Sequence, residues 1–226
     1  MTLALGSLGE PGRDCPLCPR LVAFREHHRV ENPSFHNAPV PTWLAGADGC
    51  DRDSVKLLIV GLAPGLKGAN QTGRPFTGDW AGDLLYATLT KFNFAKGAYG
   101  AVPSDGLELV DCGITNAVRC VPPQNKPVGE EINTCRPFLA TLLETLPNLS
   151  ALVTLGKISH DSTLRTLNAR VASHPFSHAG QHDVGGYRIF SSYHCSRYNT
   201  NTGRLTTRMF EDVFAAVRNH LDGHTT

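Results

Sequence analysis

The chain has 226 residues, 41% hydrophobic and 18% charged, with a formal net charge of +1. That length suits one α/β domain able to bury a full core without staples. The near-neutral charge excludes a global attraction to nucleic acid or to an anionic membrane, so any polyanion must be held by local basic residues.

Residues 1–13 read as mobile. Cys15-Pro16-Leu17-Cys18-Pro19 opens a helix running through Leu21, Val22, Ala23 and Phe24. Residues 31–54 are rich in Pro, Gly, Asn and Asp, with Trp43 and Leu44 as anchors. Val55 to Val60 is a nearly continuous apolar run ended by a glycine, which suits a buried strand. The stretch from Gly61 to Asp79 then holds five glycines and two prolines, too many for a plain spacer. Glycine lets a backbone approach a ligand closely, and proline stiffens the approach. Trp80 to Leu89 reads as a helix with Leu84, Leu85, Tyr86 and Leu89 mostly inward. Leu107 to Ala117 reads as a second strand. Val121 to Pro127 breaks structure, and Pro127 to Leu146 returns to helix. Ala151 to Leu155 is a third strand, followed by a helix from Lys157 to Leu167, and Tyr187 to Tyr193 is a fourth. The last helix, Leu205 to Leu221, carries Leu205, Met209, Phe210, Val213, Phe214, Val217 and Leu221 on one face. Alternating strands and helices predict an α/β chain with a mainly parallel sheet covered on both faces.

Three polar residues stand at strand ends or helix starts, where open α/β sheets bind ligands. Asp79 precedes a helix and suits either catalysis or an N-cap. Asn116 ends the second strand, and a buried Asn offers both a donor and an acceptor to a base edge. Its alternative is a loop Asn bonding its own backbone. His194 follows the fourth strand, at a position equally open to a structural His. His174, His178 and His182 form a loop cluster that suits solvation more than metal.

Seven cysteines, with no run of eighteen apolar residues and no basic-then-apolar leader, indicate a cytoplasmic protein with metal or redox chemistry rather than disulfides. Cys15 and Cys18 form a CxxC pair, and Cys120 and Cys135 are the natural second pair. Four such thiolates can hold a [4Fe–4S] cluster or a structural zinc, and ordinary reduced thiols are the plain alternative. Cys50, Cys112 and Cys195 are left over. Cys112 suits the core, and Cys195 adjoins the candidate site.

The order of Gly61-Leu62-Ala63-Pro64-Gly65, Gly73-Arg74-Pro75-Phe76-Thr77-Gly78-Asp79, Thr115-Asn116-Ala117-Val118-Arg119-Cys120 and Ser192-Tyr193-His194-Cys195-Ser196-Arg197 resembles the uracil-DNA glycosylase superfamily. With Cys15-Pro16-Leu17-Cys18 near the start, it is most similar to the iron–sulfur B type, family 5. The resemblance runs from Cys15 to Arg204. It implies one three-layer domain over residues 1–226, with a central four-stranded mainly parallel sheet flanked by helices. It implies a [4Fe–4S] cluster on Cys15, Cys18, Cys120 and Cys135 that ties residues 15–30 to the rest. It also implies a monofunctional, monomeric enzyme that flips and releases uracil, and other deaminated bases such as hypoxanthine, from double- or single-stranded DNA. The related family 4 carries Glu where Leu62 stands, and Leu62 cannot activate water. In family 5 the Asp matched by Asp79 takes part in catalysis instead. By the same resemblance Asn116 reads the base, Phe76 stacks on it, and His194 is the His of the HPS motif, here His194-Cys195-Ser196. Gly61, Ala63, Gly65, Ser196 and Arg197 complete the implied substrate contacts. Arg197, Tyr198, Asn199 and Arg204 suit a loop in the minor groove.

Two other readings compete. A nucleotide hydrolase would use the glycine loop for phosphate, but no Lys-Ser/Thr follows the glycines as a P-loop requires. A non-catalytic iron–sulfur DNA-binding module would bind DNA and release no base.

Overall fold

Each apolar run of the sequence becomes a strand or the inward stripe of a helix in the computed structural model, which describes residues 9–223. In chain order the elements are α1 (Pro19–Glu31), β1 (Leu57–Gly61), α2 (Ala69–Thr72), α3 (Trp80–Lys91), β2 (Ala95–Lys96), β3 (Glu108–Leu109), β4 (Cys112–Asn116), α4 (Gly129–Glu144), β5 (Ala151–Leu155), α5 (Lys157–Thr166), β6 (Gln181–Val184), β7 (Tyr187–Ser192), α6 (Arg197–Asn201) and α7 (Thr207–Leu221). The central sheet has the order β4-β1-β5-β7-β6. Its first four strands run parallel, as expected. The fifth, β6, was not expected: it pairs antiparallel with β7 through the turn at Gly185-Gly186 and makes the sheet five-stranded. The strand expected over Leu107–Ala117 is also interrupted. Asp111 adopts a left-handed φ of 56° and turns its carbonyl to accept from the backbone N–H groups of Lys56 and Leu57.

Alternation along the buried strands sorts the core into two layers. Leu57 and Ile59 face Leu85, Tyr86 and Leu89 of α3 and Phe210, Val213, Phe214 and Val217 of α7. Leu58 and Val60 face Leu139, Leu142 and Leu143 of α4 and Leu164 of α5. Each such side chain, fully buried, contributes about 1.5–3 kcal/mol, so the sheet cannot slip register without exposing a whole face.

The anchors expected in residues 31–54 cover the outer edge of β4. The Trp43 backbone exchanges hydrogen bonds with Ile114 at 3.0 and 2.7 Å, while Leu44 is buried in the second core layer. Residues 1–8 lie outside the described residues. The rest of the segment expected to be mobile is held: the Glu10 carboxylate accepts from Thr42 Oγ1 at 2.7 Å and from Arg119 Nη2 at 2.8 Å. No helix of the described residues is long and apolar enough to cross a membrane.

The strand order reverses at β1: β4 lies on one side of it and β5 on the other. Gly61 and Asn116 are register partners at the carboxyl ends of β1 and β4. The glycine-rich loop after β1 therefore opens beside the end of β4, at the crevice where such sheets bind ligands.

Candidate active site

The loop from Gly61 to Asp79 is pinned by side chains that no single motif links. Arg74 is buried and bidentate to Asp105, at 2.8 and 2.6 Å. Its Nε donates to Thr77 Oγ1 at 2.8 Å, and its guanidinium lies 4.6 Å from the Trp43 ring centre. The hydrogen bonds from Arg74 hold the Asp105 carboxyl down at about 2. The Tyr86 hydroxyl donates to the Pro75 carbonyl, and the Tyr99 hydroxyl donates to the Phe76 carbonyl at 3.3 Å. Under this clamp Phe76 takes a left-handed φ of 51°, a conformation costing about 1–3 kcal/mol for a non-glycine residue and kept only when its surroundings enforce it.

The clamp aims the Phe76 ring into a cavity of about 30 Å³ lined by Ala63, Pro64, Gly65, Ala69, Phe76, Asp79, Ala81, Asn116 and His194. Six of the residues singled out in the sequence thus meet there: Ala63, Gly65, Phe76, Asp79, Asn116 and His194. Gly61 lies beneath them. A Cβ on it would stand 2.3 Å from Asn116 Oδ1 and 2.7 Å from the Phe76 ring, so only glycine lets both side chains close over β1. The Phe76 and His194 rings both line the cavity. Those rings are stacked at 5.9 Å with 26° between their planes.

Asn116 is buried at 3% exposure, and its Oδ1 has no hydrogen-bond partner among the described residues. An unpaired buried acceptor carries its full desolvation cost until a donor arrives. His194 is half-buried, and desolvation pushes its imidazole down to about 4, so it is neutral at physiological pH and donates one ring N–H. Its carbonyl accepts from Asn199 Nδ2 at 2.8 Å, and Ser196 caps α6 by accepting from the Asn199 N–H at 3.4 Å. These two bonds hold the His194-Cys195-Ser196 turn without the proline of the family motif. Cys195 is buried behind the turn, where desolvation, reinforced by the nearby Asp79 charge, pushes its thiol up.

Asp79 uses its two carboxylate oxygens differently. Oδ1 accepts from the Gly82 N–H at 3.3 Å and caps α3. Oδ2 lies over the glycine loop, where a Cβ on Gly68 would come within 2.4 Å of it. Burial raises the carboxyl pKa, opposed by the Gly82 and Ala81 N–H groups.

The remaining expected contacts lie one shell out. Ser196 and Arg197 line an outer vestibule of about 410 Å³ that shares Ala63, Gly65, Asp79, Ala81 and His194 with the inner cavity. Leu62, Trp80 and Asn125 complete its wall. The histidine cluster is structural. His160 Nε2 donates to the His174 carbonyl at 2.8 Å, which leaves its Nδ1 to accept from Ser191 Oγ at 2.9 Å. His178 stacks on Tyr193 at 5.1 Å.

These desolvated imidazoles make stability depend on acid. His194 and His160 have folded-state pKa values below the ordinary value of about 6.5, so the unfolded chain binds their protons first. Stability is then complete above about 6.5 and is lost as the pH falls toward about 4. Asp105, held at about 2, acts only in the more acidic window below its unfolded value. Melting temperatures measured from pH 7 to 4 should fall, and should fall less in His194→Gln. Equal slopes in both proteins would remove His194 from the account.

The four cysteines expected to act together share one neighbourhood. All seven cysteines are free thiols. Burial first, then the charges of Cys135 and Cys15, push the Cys18 thiol up to about 12. Burial first, then Cys135, raises Cys120 to about 12, and Cys15 and Cys18 add to it. Cys135 accepts the Arg119 N–H at 3.4 Å. Among the described residues no group of three or more His, Cys, Asp or Glu side chains is arranged to hold a metal ion. A cluster of several irons is wider than one ion, and the local charge suits it. Arg25 is buried at 3% exposure beside these thiols. Its contacts are the Cys15 carbonyl at 3.1 Å and, at 3.4 Å, a Glu26 side chain that is half exposed. A buried guanidinium with no buried carboxylate calls for nearby negative charge, which four thiolates around a cluster core would supply.

A family model described as the uracil DNA glycosylase superfamily matches residues 48–218. The chain is 40% identical over 205 residues to the type-5 uracil-DNA glycosylase of Thermus thermophilus, covering 90% of this chain and 92% of that protein. It is 36% identical over 204 residues to the type-5 uracil-DNA glycosylase of Pyrobaculum aerophilum, covering 88% and 86%. With the protein of the same description from Mycobacterium bovis it shares 39% over 208 residues, covering 90% and 77%. Matches of that identity along nearly the full length establish that the chain belongs to the uracil DNA glycosylase superfamily, beside its type-5 members.

Proposed function

We propose that the protein hydrolyses the N-glycosidic bond of uracil, and of other deaminated bases such as hypoxanthine, in DNA, leaving an abasic site. The observation that carries this reading is the buried, unpartnered Oδ1 of Asn116, a residue that lines the same cavity as the Phe76 and His194 rings. A uracil edge presents an N3–H donor to such an acceptor, whereas cytosine presents a second acceptor there. Extrusion costs a few kcal/mol, least for a mispaired or single-stranded base. Phe76 would stack on the flipped ring, and the backbone of Ala63 and Gly65 would line its edge. As the C1′–N bond breaks, C1′ gains positive charge and the base leaves with the bonding electron pair. Asp79 would offset the charge at C1′ and hold the water whose oxygen forms the new bond. Neutral His194 would donate to the oxygen on which the base's negative charge collects. Solvent then protonates the departing base. No lysine stands in the cavity to form a Schiff base, so the abasic strand is released intact.

Cys15, Cys18, Cys120 and Cys135 would hold a [4Fe–4S] cluster, which supplies a structural cross-link between the start of α1, the end of β4 and α4. Arg25 would balance its charge. The expected substrates are double- and single-stranded DNA, and the expected working form is a monomer in the cytoplasm.

The test is release of uracil from oligonucleotides, read as strand nicking after alkali. Asn116→Ala should lower kcat/KM by roughly five- to a hundredfold, the equivalent of about 1–3 kcal/mol for a lost partner on a buried edge. Its melting temperature should stay near wild type. An unchanged rate would make Asn116 merely structural, and a wild-type protein that binds DNA but releases no base would favour the non-catalytic module.

A further inference from the structure

The vestibule outside the catalytic cavity has an aromatic lip that the reaction does not use. Trp80 begins α3 directly after Asp79 and is 49% exposed, one of few large hydrophobic side chains so placed. It is not loose. Its indole N–H donates to Thr200 Oγ1 in α6 at 2.9 Å, so the ring is fixed against the segment that carries His194. The Arg197 guanidinium lies 5.6 Å from the ring centre. Around the same segment Tyr198 is 72% exposed, and Arg204 covers the Tyr193 ring at 4.6 Å. Neither Arg197 nor Arg204 makes an ion pair with a carboxylate among the described residues.

A fixed exposed aromatic beside unpaired arginines is the composition of a surface that stacks bases and follows a phosphate backbone. A chain of net charge +1 has no general attraction for DNA, so affinity must come from such local features. The vestibule, about 410 Å³, is large enough to receive a base. We propose that Trp80 is a stacking platform for an unpaired base flanking the flipped nucleotide, with Arg197 against the adjoining phosphate. This rests on the glycosylase reading, which places a DNA strand across this mouth. A platform of this kind favours strands whose neighbouring bases are already unstacked, so it biases the enzyme toward single-stranded and mispaired DNA.

The chain has two tryptophans, which makes the platform directly observable. Trp43 is held between the Arg74 guanidinium and Tyr86 and should report little change. The probe is a short single-stranded oligonucleotide carrying a tetrahydrofuran abasic analogue, so that no base is available for the catalytic cavity. Saturating it should quench the emission of wild type and of Trp43→Phe alike. Trp80→Ala should bind this oligonucleotide about tenfold more weakly by anisotropy, and Trp80→Phe should recover most of that loss. Uracil release should fall more on single-stranded than on fully paired substrate in Trp80→Ala. Saturation without quenching, or Trp80→Ala binding as tightly as wild type, overturns the proposal. If quenching occurs but wild type releases no uracil, the platform stands and the glycosylase reading fails.

Discussion

Asp79→Asn is expected to lose about a hundred- to a thousandfold in single-turnover rate while its melting temperature stays near wild type. The two halves of that result come from the two oxygens of one carboxylate. Oδ1 accepts the Gly82 N–H at 3.3 Å, and an asparagine oxygen caps a helix as well as an aspartate does. The start of α3 should therefore survive. Oδ2 lies over the glycine loop beside a partly buried cavity, where charge is less screened than in open water. A neutral amide there neither offsets positive charge at C1′ nor accepts a proton from water. Preorganised charge of this kind is commonly worth about 3–4 kcal/mol of barrier. The pH profile adds a second signature. Burial raises the Asp79 pKa, so the wild-type rate should be full above that raised value and should fall as the pH drops through it. In Asp79→Asn the part of the acid limb due to this group should vanish. Adding His194→Ala should cost less than the product of the two single losses if both act on one transition state. A full single-turnover rate in Asp79→Asn would leave Asp79 as a cap and nothing more.

What the sequence made legible followed from local pattern. The four parallel strands were visible because each is buried on both faces and so reads as a short apolar run, as in Ala151–Leu155. The fifth strand was not, because Gln181–Val184 lies at the sheet edge with only Val184 buried, and its polar residues read as a histidine loop. One signal for it was present. Gly185-Gly186, both with positive φ, sits two residues wide between Val184 and Tyr187, the spacing of a tight hairpin. Asp79, Asn116 and His194 were legible because each stands at or just past a strand end or at the start of a helix, whereas Phe76 was marked by the family resemblance. The residues that position them were not. Arg74 and Asp105 are far apart in sequence, and nothing local marks their pairing. Tyr86 looked like one more inward residue of an amphipathic helix, and only the fold brings its hydroxyl to the Pro75 carbonyl. Arg25 was missed for the same reason: its burial depends on what packs over α1.

Replacing Cys120 or Cys135 by Ala is expected to remove the visible absorption and the iron, and to take solubility and activity with it. Binding free energy at a metal centre formed only in the folded state is folding free energy. A domain's whole stability is about 5–15 kcal/mol, so losing such a centre leaves little margin. The structure shows the route by which the catalytic cavity would feel the loss. Cys120 follows Asn116 by four residues, and Arg119 between them donates to Thr42 Oγ1 at 2.6 Å and to Glu10 at 2.8 Å. Helix α1, which starts beside Cys18, is tied to α4 by the Arg20–Glu131 pair at 2.7 and 2.8 Å. At its other end the carbonyls of His28 and Asn32 accept from Asn37 Nδ2, and Asn37 Oδ1 accepts from Asn70 in the glycine loop at 2.9 Å. Freeing the four thiols from such a centre would loosen both chains of contacts, one to Asn116 and one to the loop over which Asp79 stands. Cys50→Ala is the control, since Cys50 is exposed and takes no part in this neighbourhood. It should keep colour, melting temperature and uracil release. Iron and sulfide should be equal in the wild type prepared anaerobically, and both should be absent from Cys120→Ala. A colourless wild type with one zinc per chain would sink the cluster. A Cys120→Ala protein that lost its iron yet kept full activity would cut the proposed link from α1 through Asn37 to the glycine loop.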